Sequence, residues 1–447
     1  MRYAASERLR HPARVVAFGF ATAIAIGTAL LSLPLATETG HRTGLVDALF
    51  TATSAVCVTG LVTVDTGGHW STFGEVVILA LIQAGGLGIM TLATLITVLV
   101  AGRLGLRSRL LAQAETKLLG LSGIRRVVRN IVLFSLLSEA VVAAVLTVRF
   151  AVGYDQSWGR AAYQGVFHAI SAFNNAGFSL HSDNLMRYVG DPWVCLTVAA
   201  AVIVGGLGFP VVFELARSWR RPAMWSVVTR ITLGLTIALL VLGTVVFTAV
   251  EFANPRTLGA LEVSDRVLAG FFHSVMTRTA GFNSIDIAAL HPESLFATDL
   301  LMFIGGGSAG TAGGIKVTTF GLLAFVLWSE VRGEPAVNVG RRRVPETNHR
   351  QALAIVLLGI GAVAASTFLL LALTRHSLDS VLFEAISAFA TVGLSTGITF
   401  DLPPAAELLL VGLMFLGRIG PLTVASALAL RRRTRRFELP EERTIVG

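Results

Sequence analysis

The chain has 447 residues, of which 54% are hydrophobic and only 14% are charged. Soluble proteins average about 45–50% apolar and ~25% charged residues, so this composition argues against a soluble protein and predicts a membrane protein. The formal net charge of +9 comes from basic residues concentrated in a few loops. Such sorting is typical of membrane topology, and we expect no nucleic-acid partner.

Eight apolar runs are near or above the ~20 residues that a transmembrane helix needs. In chain order they are Val15–Leu35, Val76–Val100, Ile131–Val148, Trp193–Phe213, Ile231–Val250, Leu300–Trp328, Ala352–Leu373 and Leu408–Leu430. The sixth and the eighth contain several glycines, which predicts a break or a close helix contact within these two spans. Glycine groups at Gly85–Gly88 and Gly205–Gly208 indicate close packing or a hinge, and close packing is the preferred interpretation.

The loops between the spans differ strongly in their content of basic residues. Most of the 36 Lys and Arg residues lie in five segments: Met1–Arg14, Ala101–Arg129, Leu215–Arg230, Trp328–Arg350 and Arg431–Gly447. Cytoplasmic loops carry such an excess, so these segments and both termini are expected in the cytoplasm. Arginine greatly outnumbers lysine, which indicates a GC-rich bacterial source. Together with the eight apolar runs, this predicts a multi-pass protein of a bacterial cell membrane.

A sequence pattern recurs four times between the spans. In each copy a Phe precedes a Gly by ten residues: Phe50 and Gly60, Phe167 and Gly177, Phe271 and Gly281, Phe383 and Gly393. The copies are too far apart for a solenoid, whose units repeat every ~20–50 residues. Each interval is instead long enough for two spans and a connecting loop, which predicts four membrane modules.

We therefore predict an all-α polytopic membrane protein with four repeats of transmembrane helix, pore helix, filter and transmembrane helix around a pseudo-fourfold pore. The predicted modules are residues 1–104, 105–222, 223–332 and 333–436, followed by a cytoplasmic tail at 437–447. Each module enters and leaves on the same side, so successive modules can be related by an axis along the membrane normal. Carriers with inverted repeats have the opposite arrangement.

Short helices are expected just before each recurring glycine, at Ala48–Cys57, Arg160–Asn174, Arg266–Arg278 and Ser380–Ala390. Asp, Gly or Ser residues precede or begin them, namely Asp47, Gly159, Ser264, Asp265, Ser377 and Asp379, and these residue types satisfy free amides at helix starts. The partial negative charge at the helix C-termini would favour a cation beside them.

The four filter segments follow these helices and end on the recurring glycines. Glycine adopts backbone angles closed to other residues, so successive carbonyl oxygens can face one axis and replace the hydration shell of a potassium ion. A single such glycine would indicate only a turn, whereas four copies in register favour a pore. The predicted ion-binding residues are Val58, Thr59, Gly60, Asn175, Ala176, Gly177, Thr279, Ala280, Gly281, Thr391, Val392 and Gly393.

Six glycines among residues 305–314 are incompatible with a straight helix, because each costs about 1 kcal/mol relative to Ala. We call residues 305–316 the glycine loop and expect it to be an irregular gate inside the membrane. A phosphate-binding loop is excluded, since Ile315 separates Gly314 from Lys316 where glycine and lysine must be adjacent. The predicted gate residues are Gly305, Gly306, Gly307, Ser308, Gly310, Thr311, Gly313, Gly314, Lys316 and Arg418.

Arg418 lies within the last apolar run. A charge at that depth costs roughly 2.5–3.5 kcal/mol, so it needs water or polar partners. One interpretation is that Arg418 contacts carbonyl groups of the glycine loop and adds a positive barrier to a closed pore. The other is that it anchors a bend made by Gly417, Gly420 and Pro421.

With these motifs, residues 15–430 resemble the Trk/Ktr/HKT superfamily of potassium transporters, and most of all the Ktr-type membrane subunit. The resemblance is carried by the filter segments, by Thr277–Asn283 and by the glycine-rich second spans. It implies a homodimer with one pore per subunit and a cytosolic ring of nucleotide-binding regulatory subunits. Gly60 implies a preference for potassium, since members with Ser there tend to favour sodium.

The expected function is potassium uptake through the four-repeat filter, gated by the glycine loop and by the regulatory subunit, with sodium stimulation as a further option. We expect no enzyme activity and no covalently bound cofactor, only K+, and in the sodium-stimulated case Na+, as the ions involved. One alternative is a sodium-preferring or poorly selective channel of the same build. A cation-coupled carrier is the other, for which Glu139, Glu214 and Glu384 are the available carboxylates.

Overall fold

The computed structural model describes residues 12–101, 121–339 and 342–430. The predicted module boundaries near 104 and 436, the tail at 437–447 and most of the predicted cytoplasmic segments 1–14, 101–129 and 431–447 lie outside these residues. The boundaries at 222 and 332 follow from the same repeat pattern and stay predictions.

The described residues form helices joined by loops, together with one small hairpin. The α-helices are α1 Pro12–Leu31, α2 Leu45–Cys57, α3 Thr66–His69, α4 Thr72–Ala101, α5 Leu121–Gly153, α6 Trp158–Phe173, α7 Pro192–Leu207, α8 Phe209–Ser218, α9 Val227–Glu251, α10 Val263–Met276, α11 Pro292–Phe303, α12 Val317–Val331, α13 Glu346–Leu373, α14 Leu378–Ala390 and α15 Pro404–Leu430. Short 3₁₀ turns lie at Pro34–Ala36, Met186–Tyr188, Pro222–Met224, Leu258–Ala260, Ile287–Ala289 and Ile398–Asp401. The hairpin pairs β1 Asn338–Val339 antiparallel with β2 Arg342–Arg343.

Four helices of the described chain are long and apolar enough to cross a membrane: α4, α5, α9 and α13. If the bent pair α7 and α8 counts as one span, the described chain has five. The other predicted apolar runs are found in α1, in α11 with α12, and in α15. The prediction of an all-α polytopic membrane protein is thus confirmed. The short helices α2, α6, α10 and α14 each lie in sequence between two of these longer elements.

The predicted span Trp193–Phe213 is wrong as a single helix. The chain bends by 99° between α7 and α8, at Gly208, which has a left-handed φ of +92°. A Cβ at Gly208 would collide with the carbonyl oxygen of Ser308, so only glycine permits this approach. The bend therefore makes room for the glycine loop.

The predicted starts of the short helices are partly wrong. Asp47 lies inside the first turn of α2, where its carboxylate accepts a hydrogen bond from Thr63 Oγ1 at 3.0 Å. Helix α6 begins after Ser157 and α10 after Glu262. Only Ser377 acts as predicted and accepts the Ser380 amide at 3.4 Å. Residue types that favour helix caps therefore predicted the helix starts less accurately than the recurring glycines predicted the segments after the helices.

In three modules the second long helix packs directly on the end of the short helix. A Cβ at Gly85, Gly205 or Gly417 would collide with the carbonyl oxygen of Val56, Phe173 or Phe389, respectively. Each of these carbonyls belongs to the residue four positions before a filter glycine. Small residues let helix backbones approach this closely, which is the close packing predicted for Gly85 and Gly205.

Gly85→Ala should destabilise the protein, because the added methyl group has no space beside Val56 and overpacking typically costs ~1–3 kcal/mol. The apparent melting temperature in detergent, read from size-exclusion recovery after heating, should fall by several degrees. Gly361→Ala in α13 is the control, since a Cβ there meets nothing within 4 Å and Ala favours a helix over Gly. Equal melting temperatures for the two variants would contradict the packing argument.

Candidate functional site

Each short helix is followed by the same unusual backbone conformation. Two residues before each filter glycine, a non-glycine residue adopts left-handed angles: Val58 (φ 57°), Asn175 (59°), Thr279 (66°) and Thr391 (51°). The glycines are left-handed as well: Gly60 (95°), Gly177 (72°), Gly281 (73°) and Gly393 (96°). Left-handed backbone costs a non-glycine residue roughly 1–2 kcal/mol, so four copies at one position indicate that the surroundings impose it.

The four filter segments close into a ring. Each filter glycine lies against the carbonyl oxygen of the residue that precedes the next module's glycine. A Cβ built on any of the four glycines would collide with that oxygen. The pairs of glycine and carbonyl are Gly60 with Ala176, Gly177 with Ala280 (Cβ to oxygen 2.8 Å), Gly281 with Val392 (2.5 Å) and Gly393 with Thr59. Because the fourth contact returns to the first module, the segments surround one axis. A side chain at any of these glycines would strike its neighbour.

Hydrogen bonds tie the amides of the segments to the short helices. The amides of Thr59, Ala176 and Val392 donate to the carbonyl oxygens of Ser54, Ser171 and Ser387 at 2.7–2.8 Å. The serine hydroxyls of the first and fourth modules also accept from the filter glycine amides, at 3.0 and 3.1 Å. In the third module, where Val275 replaces the serine, Ala280 donates to Met276 at 3.1 Å.

The carbonyl groups of the ring, by contrast, have no hydrogen-bond donor. Within the described ranges, no group donates to the carbonyl oxygens of Thr59, Ala176, Ala280 or Val392. Buried carbonyls are normally paired. Four unpaired ones around a single axis form an arrangement that can coordinate a dehydrated cation.

The predicted gate residues of the glycine loop lie in one non-helical segment between α11 and α12. This segment is bonded to the broken helix α7: Gly307 donates to Gly206 at 2.7 Å and Thr311 donates to Gly205 at 3.1 Å. Lys316 is the last residue before α12. The loop therefore fills the bend at Gly208 and lies next to the ends of the short helices.

The glycine loop also contacts the filter segments directly. Thr311 Oγ1 donates to Asn175 Oδ1 at 2.8 Å and lies 3.2 Å from the carbonyl oxygen of Phe173. The amide of Gly313 donates to Thr279 Oγ1 at 3.2 Å. A Cβ at Gly313 would collide with Thr391 Oγ1. The predicted gate and three of the four predicted filter segments are therefore in contact.

Three cationic side chains, those of the buried Arg278 and Arg418 and of the partly buried Lys316, donate to carbonyl oxygens of the glycine loop. Arg418 Nη1 donates to Thr311 at 2.5 Å, Lys316 Nζ to Ala312 at 2.5 Å, and Arg278 Nη2 to Gly305 at 3.2 Å. None of the ion pairs in the described part of the chain includes any of these cations. The contact expected between Arg418 and the loop is thus present, and its effect on ion flow stays a proposal.

Sequence reasoning missed the polar cluster beside the second filter segment. Asn174 Nδ2 donates to Gln83 Oε1 at 2.9 Å and to Glu139 Oε1 at 3.2 Å, and Gln83 Nε2 donates to Glu139 at 3.0 Å. Ser135 Oγ adds a third donor to that carboxylate at 2.9 Å. The available signal was the position of Asn174, immediately before the filter residue Asn175.

The other two carboxylates considered for a carrier have local partners. Glu214 accepts bonds from the Ser226 amide, the Ser226 hydroxyl and the Thr229 hydroxyl, at 2.6, 2.7 and 2.5 Å, and so stabilises the start of α9. Glu384 accepts from Thr399 Oγ1. Both carboxylates therefore accept hydrogen bonds from residues outside the filter segments.

The histidines near the filter are packed side chains. His168 contacts the Gln164 carbonyl at 2.8 Å and Ser179 Oγ at 3.0 Å, and its ring stacks on His181 at 5.3 Å between ring centroids. Burial lowers the pKa of His181, in the loop after the second filter segment, to about 4, so it is neutral at pH 7. His273 contacts Thr298 at 3.1 Å. The described residues contain no group of three side chains that could hold a metal ion.

Comparison with known proteins agrees with this geometry. Residues 15–434 match the TrkH family, described as cation transport protein. The chain belongs to this family. The predicted relationship to Trk and Ktr proteins is confirmed, and the chain is a transporter rather than an enzyme.

Several relatives match over nearly their whole length. The chain is 41% identical over 418 residues to the Ktr system potassium uptake protein B of Bacillus subtilis, covering 94% of this chain and 93% of the relative. The protein of the same name from Vibrio alginolyticus is 39% identical, covering 97% and 94%. The potassium/sodium uptake protein NtpJ of Enterococcus hirae is 33% identical, covering 98% and 97%.

The fold also matches a solved structure. The potassium transporter TrkH from Vibrio parahaemolyticus superimposes with a TM-score of 0.70 over 91% of this chain and 84% of that chain. The two share 19% sequence identity, so this likeness concerns the fold alone. It supports the helical architecture described above.

Proposed function

We propose that this chain is the membrane subunit of a potassium uptake system, and that K+ passes along the axis of the four filter segments. The observation that carries the proposal is the closed ring of filter glycines with unpaired carbonyl oxygens beside them. Two relatives that cover nearly the whole chain are named potassium uptake proteins. The names specify potassium, and the ring is an arrangement that can coordinate such a cation.

Electrostatics favour a cation at this place. The helices α2, α6, α10 and α14 all end within three residues of the filter segments, and a helix C-terminus carries about half a negative elementary charge. Four such ends would attract a cation without a ring of carboxylates. A membrane potential of 100 mV adds about 2.3 kcal/mol per charge, which is sufficient to drive uptake without a chemical reaction.

The degree of selectivity is a finer part of the proposal. One glycine per segment forms fewer carbonyl layers than the longer Thr-Val-Gly-Tyr-Gly pattern of potassium channels. The relative from Enterococcus hirae is named for both potassium and sodium, which supports measuring both ions. We propose a preference for potassium, with sodium as the competing or stimulating ion.

Regulation belongs to the proposal as well. The glycine loop would close the pore at the inner end of the filter, and Arg418 would add a positive barrier there. The relatives are named as protein B of a Ktr system, which supports a further component. We propose that this component is a cytosolic nucleotide-binding subunit, that the chain forms a homodimer, and that both termini face the cytoplasm of a bacterial cell.

Gly60→Ser should reduce the preference for potassium over sodium, because Gly60 has left-handed angles and abuts the carbonyl oxygen of Ala176. We expect a loss of at least about tenfold, equivalent to ~1.4 kcal/mol, in the flux ratio measured with purified protein in liposomes. Gly412→Ser is the control, since a Cβ there meets nothing within 4 Å. Equal flux of the two ions in the unmodified protein, unchanged by Gly60→Ser, would refute the filter.

Arg418→Ala should raise potassium flux through the chain without its regulatory partner, because it removes the positive charge and the contact with Thr311. We expect an increase of about tenfold, the effect of ~1.4 kcal/mol. Arg418→Lys keeps the charge and should leak much less. If both variants leak equally, Arg418 acts as an anchor of the loop and not as an electrostatic barrier.

A further inference from the structure

One buried carboxylate lies beside the second filter segment. Glu139, on α5, is only 5% exposed, and both of its oxygens accept hydrogen bonds. Gln83 Nε2 donates to Oε1 at 3.0 Å and to Oε2 at 3.2 Å, while Asn174 Nδ2 and Ser135 Oγ donate to Oε1 at 3.2 and 2.9 Å. No ion pair in the described part of the chain includes Glu139. Neutral donors alone therefore surround this carboxylate.

The arrangement of the two amides requires a group that only accepts. Asn174 Nδ2 also donates to Gln83 Oε1 at 2.9 Å, so the oxygen of the Gln83 amide faces Asn174 and its nitrogen faces Glu139. Both amide nitrogens thus point at the carboxylate. An ionised carboxylate accepts on both oxygens and donates nothing, whereas a glutamine would turn its own NH₂ group toward one of these donors. The charged form of Glu139 fits the cluster.

The cluster reaches the filter through Asn174. This residue follows the last residue of α6 and precedes Asn175, whose backbone is left-handed with a φ of 59°. Helix α4 closes the opposite side, because a Cβ at Gly86 would collide with Asn174 Oδ1. Asn174 is therefore held between α4 and α5. The carbonyl oxygen of Ala176, one of the four in the ring, lies two residues further along the same backbone.

The second segment lacks a bond that the first and fourth segments have. In those two modules a serine hydroxyl accepts the amide of the filter glycine, at 3.0 and 3.1 Å. In the second module the corresponding hydroxyl, Ser171 Oγ, donates instead to the carbonyl oxygen of Phe178 at 2.8 Å. The bond from Asn174 to Glu139 thus holds a segment that has one fewer contact with its own short helix.

We infer that Glu139 is a positioning residue of the filter. Its ionised carboxylate acts through Asn174, fixes the second segment in the ring and so sets part of the preference for K+ over Na+. A ring of carbonyl groups distinguishes ions by the number and spacing of its oxygens, and a loosened segment can close around the smaller Na+. The inference rests on the proposed function for the identity of the ions.

The test compares potassium and sodium flux of the purified full chain in liposomes. Glu139→Gln keeps the size of the side chain but removes the charge and one acceptor. The ratio of potassium to sodium flux should fall about two- to tenfold, the range expected for the loss of one hydrogen bond. An unchanged ratio would overturn the inference.

A double variant tests whether the effect depends on the carboxylate rather than on residue 139 itself. Gln83→Glu combined with Glu139→Gln moves the carboxylate to α4, where it can still accept from Asn174 Nδ2 and from the new amide on α5. Residues in one hydrogen-bond network are coupled, so the flux ratio should return to within about twofold of the unmodified protein. A ratio as low as that of Glu139→Gln alone would overturn the inference.

Ser135→Ala is the matched control for the stability of the cluster. It removes one donor to Glu139 but keeps both bonds of Asn174. It should lower the melting temperature and leave the flux ratio unchanged, whereas an equal loss of preference in Ser135→Ala would mean that the cluster acts only on stability. If Glu139→Gln fails to fold, Gln83→Met gives the second reading. It removes the acceptor at Gln83 and keeps Glu139, and the ratio should fall at least about twofold.

Hydrogen–deuterium exchange of the peptide containing residues 171–180 measures the position of the segment without any flux. Exchange should be faster in Glu139→Gln than in the unmodified protein and should be slow again in the double variant. Equal exchange in all three proteins would overturn the inference. The flux ratio of the unmodified protein and the effect of Gly60→Ser test the proposed function separately. When both are as proposed, failure of the Glu139→Gln effect removes this inference alone.

Discussion

The approach of each filter glycine to a carbonyl oxygen of the next segment is the contact on which the rest of the molecule depends. It can form only where there is no side chain, and it must form four times for the ring to close. The left-handed residues before the glycines are unfavourable alone. Hydrogen bonds from backbone amides of the filter segments to the short helices hold these segments in place. The short helices are held by the close packing of α4, α7 and α15 at Gly85, Gly205 and Gly417.

The glycine loop makes the ring dependent on a second set of contacts. Three cations that have no carboxylate partner in the described chain donate to loop carbonyls. Burying a cation in this way is expensive and acceptable only because irregular backbone supplies free carbonyl oxygens. The same irregular backbone sets Thr311 and Gly313 against the filter residues Asn175 and Thr279. In this account, one segment both satisfies buried charges and blocks the inner end of the pathway.

Local sequence signals predicted the parts of this arrangement that repeat. The Phe-to-Gly spacing identified the filter segments in all four modules, and the six glycines between 305 and 314 indicated a broken helix. Parts that depend on long-range contacts could not be predicted. The bend at Gly208 exists because Ser308 approaches it, although the apolar run there is continuous. The bond between Thr311 and Asn175 joins residues 136 positions apart, and no periodicity connects them. Asp47 looked like a helix cap but is bonded to Thr63.

The central claim is that the four filter segments form one cation pathway. The most direct test is anomalous X-ray diffraction from crystals of the protein grown with thallium(I), which replaces potassium and scatters strongly. The account predicts an anomalous peak on the common axis, surrounded by the carbonyl oxygens of Thr59, Ala176, Ala280 and Val392. An axis without a peak, with thallium instead at buried carboxylates such as Glu139 or Glu384, would contradict the account.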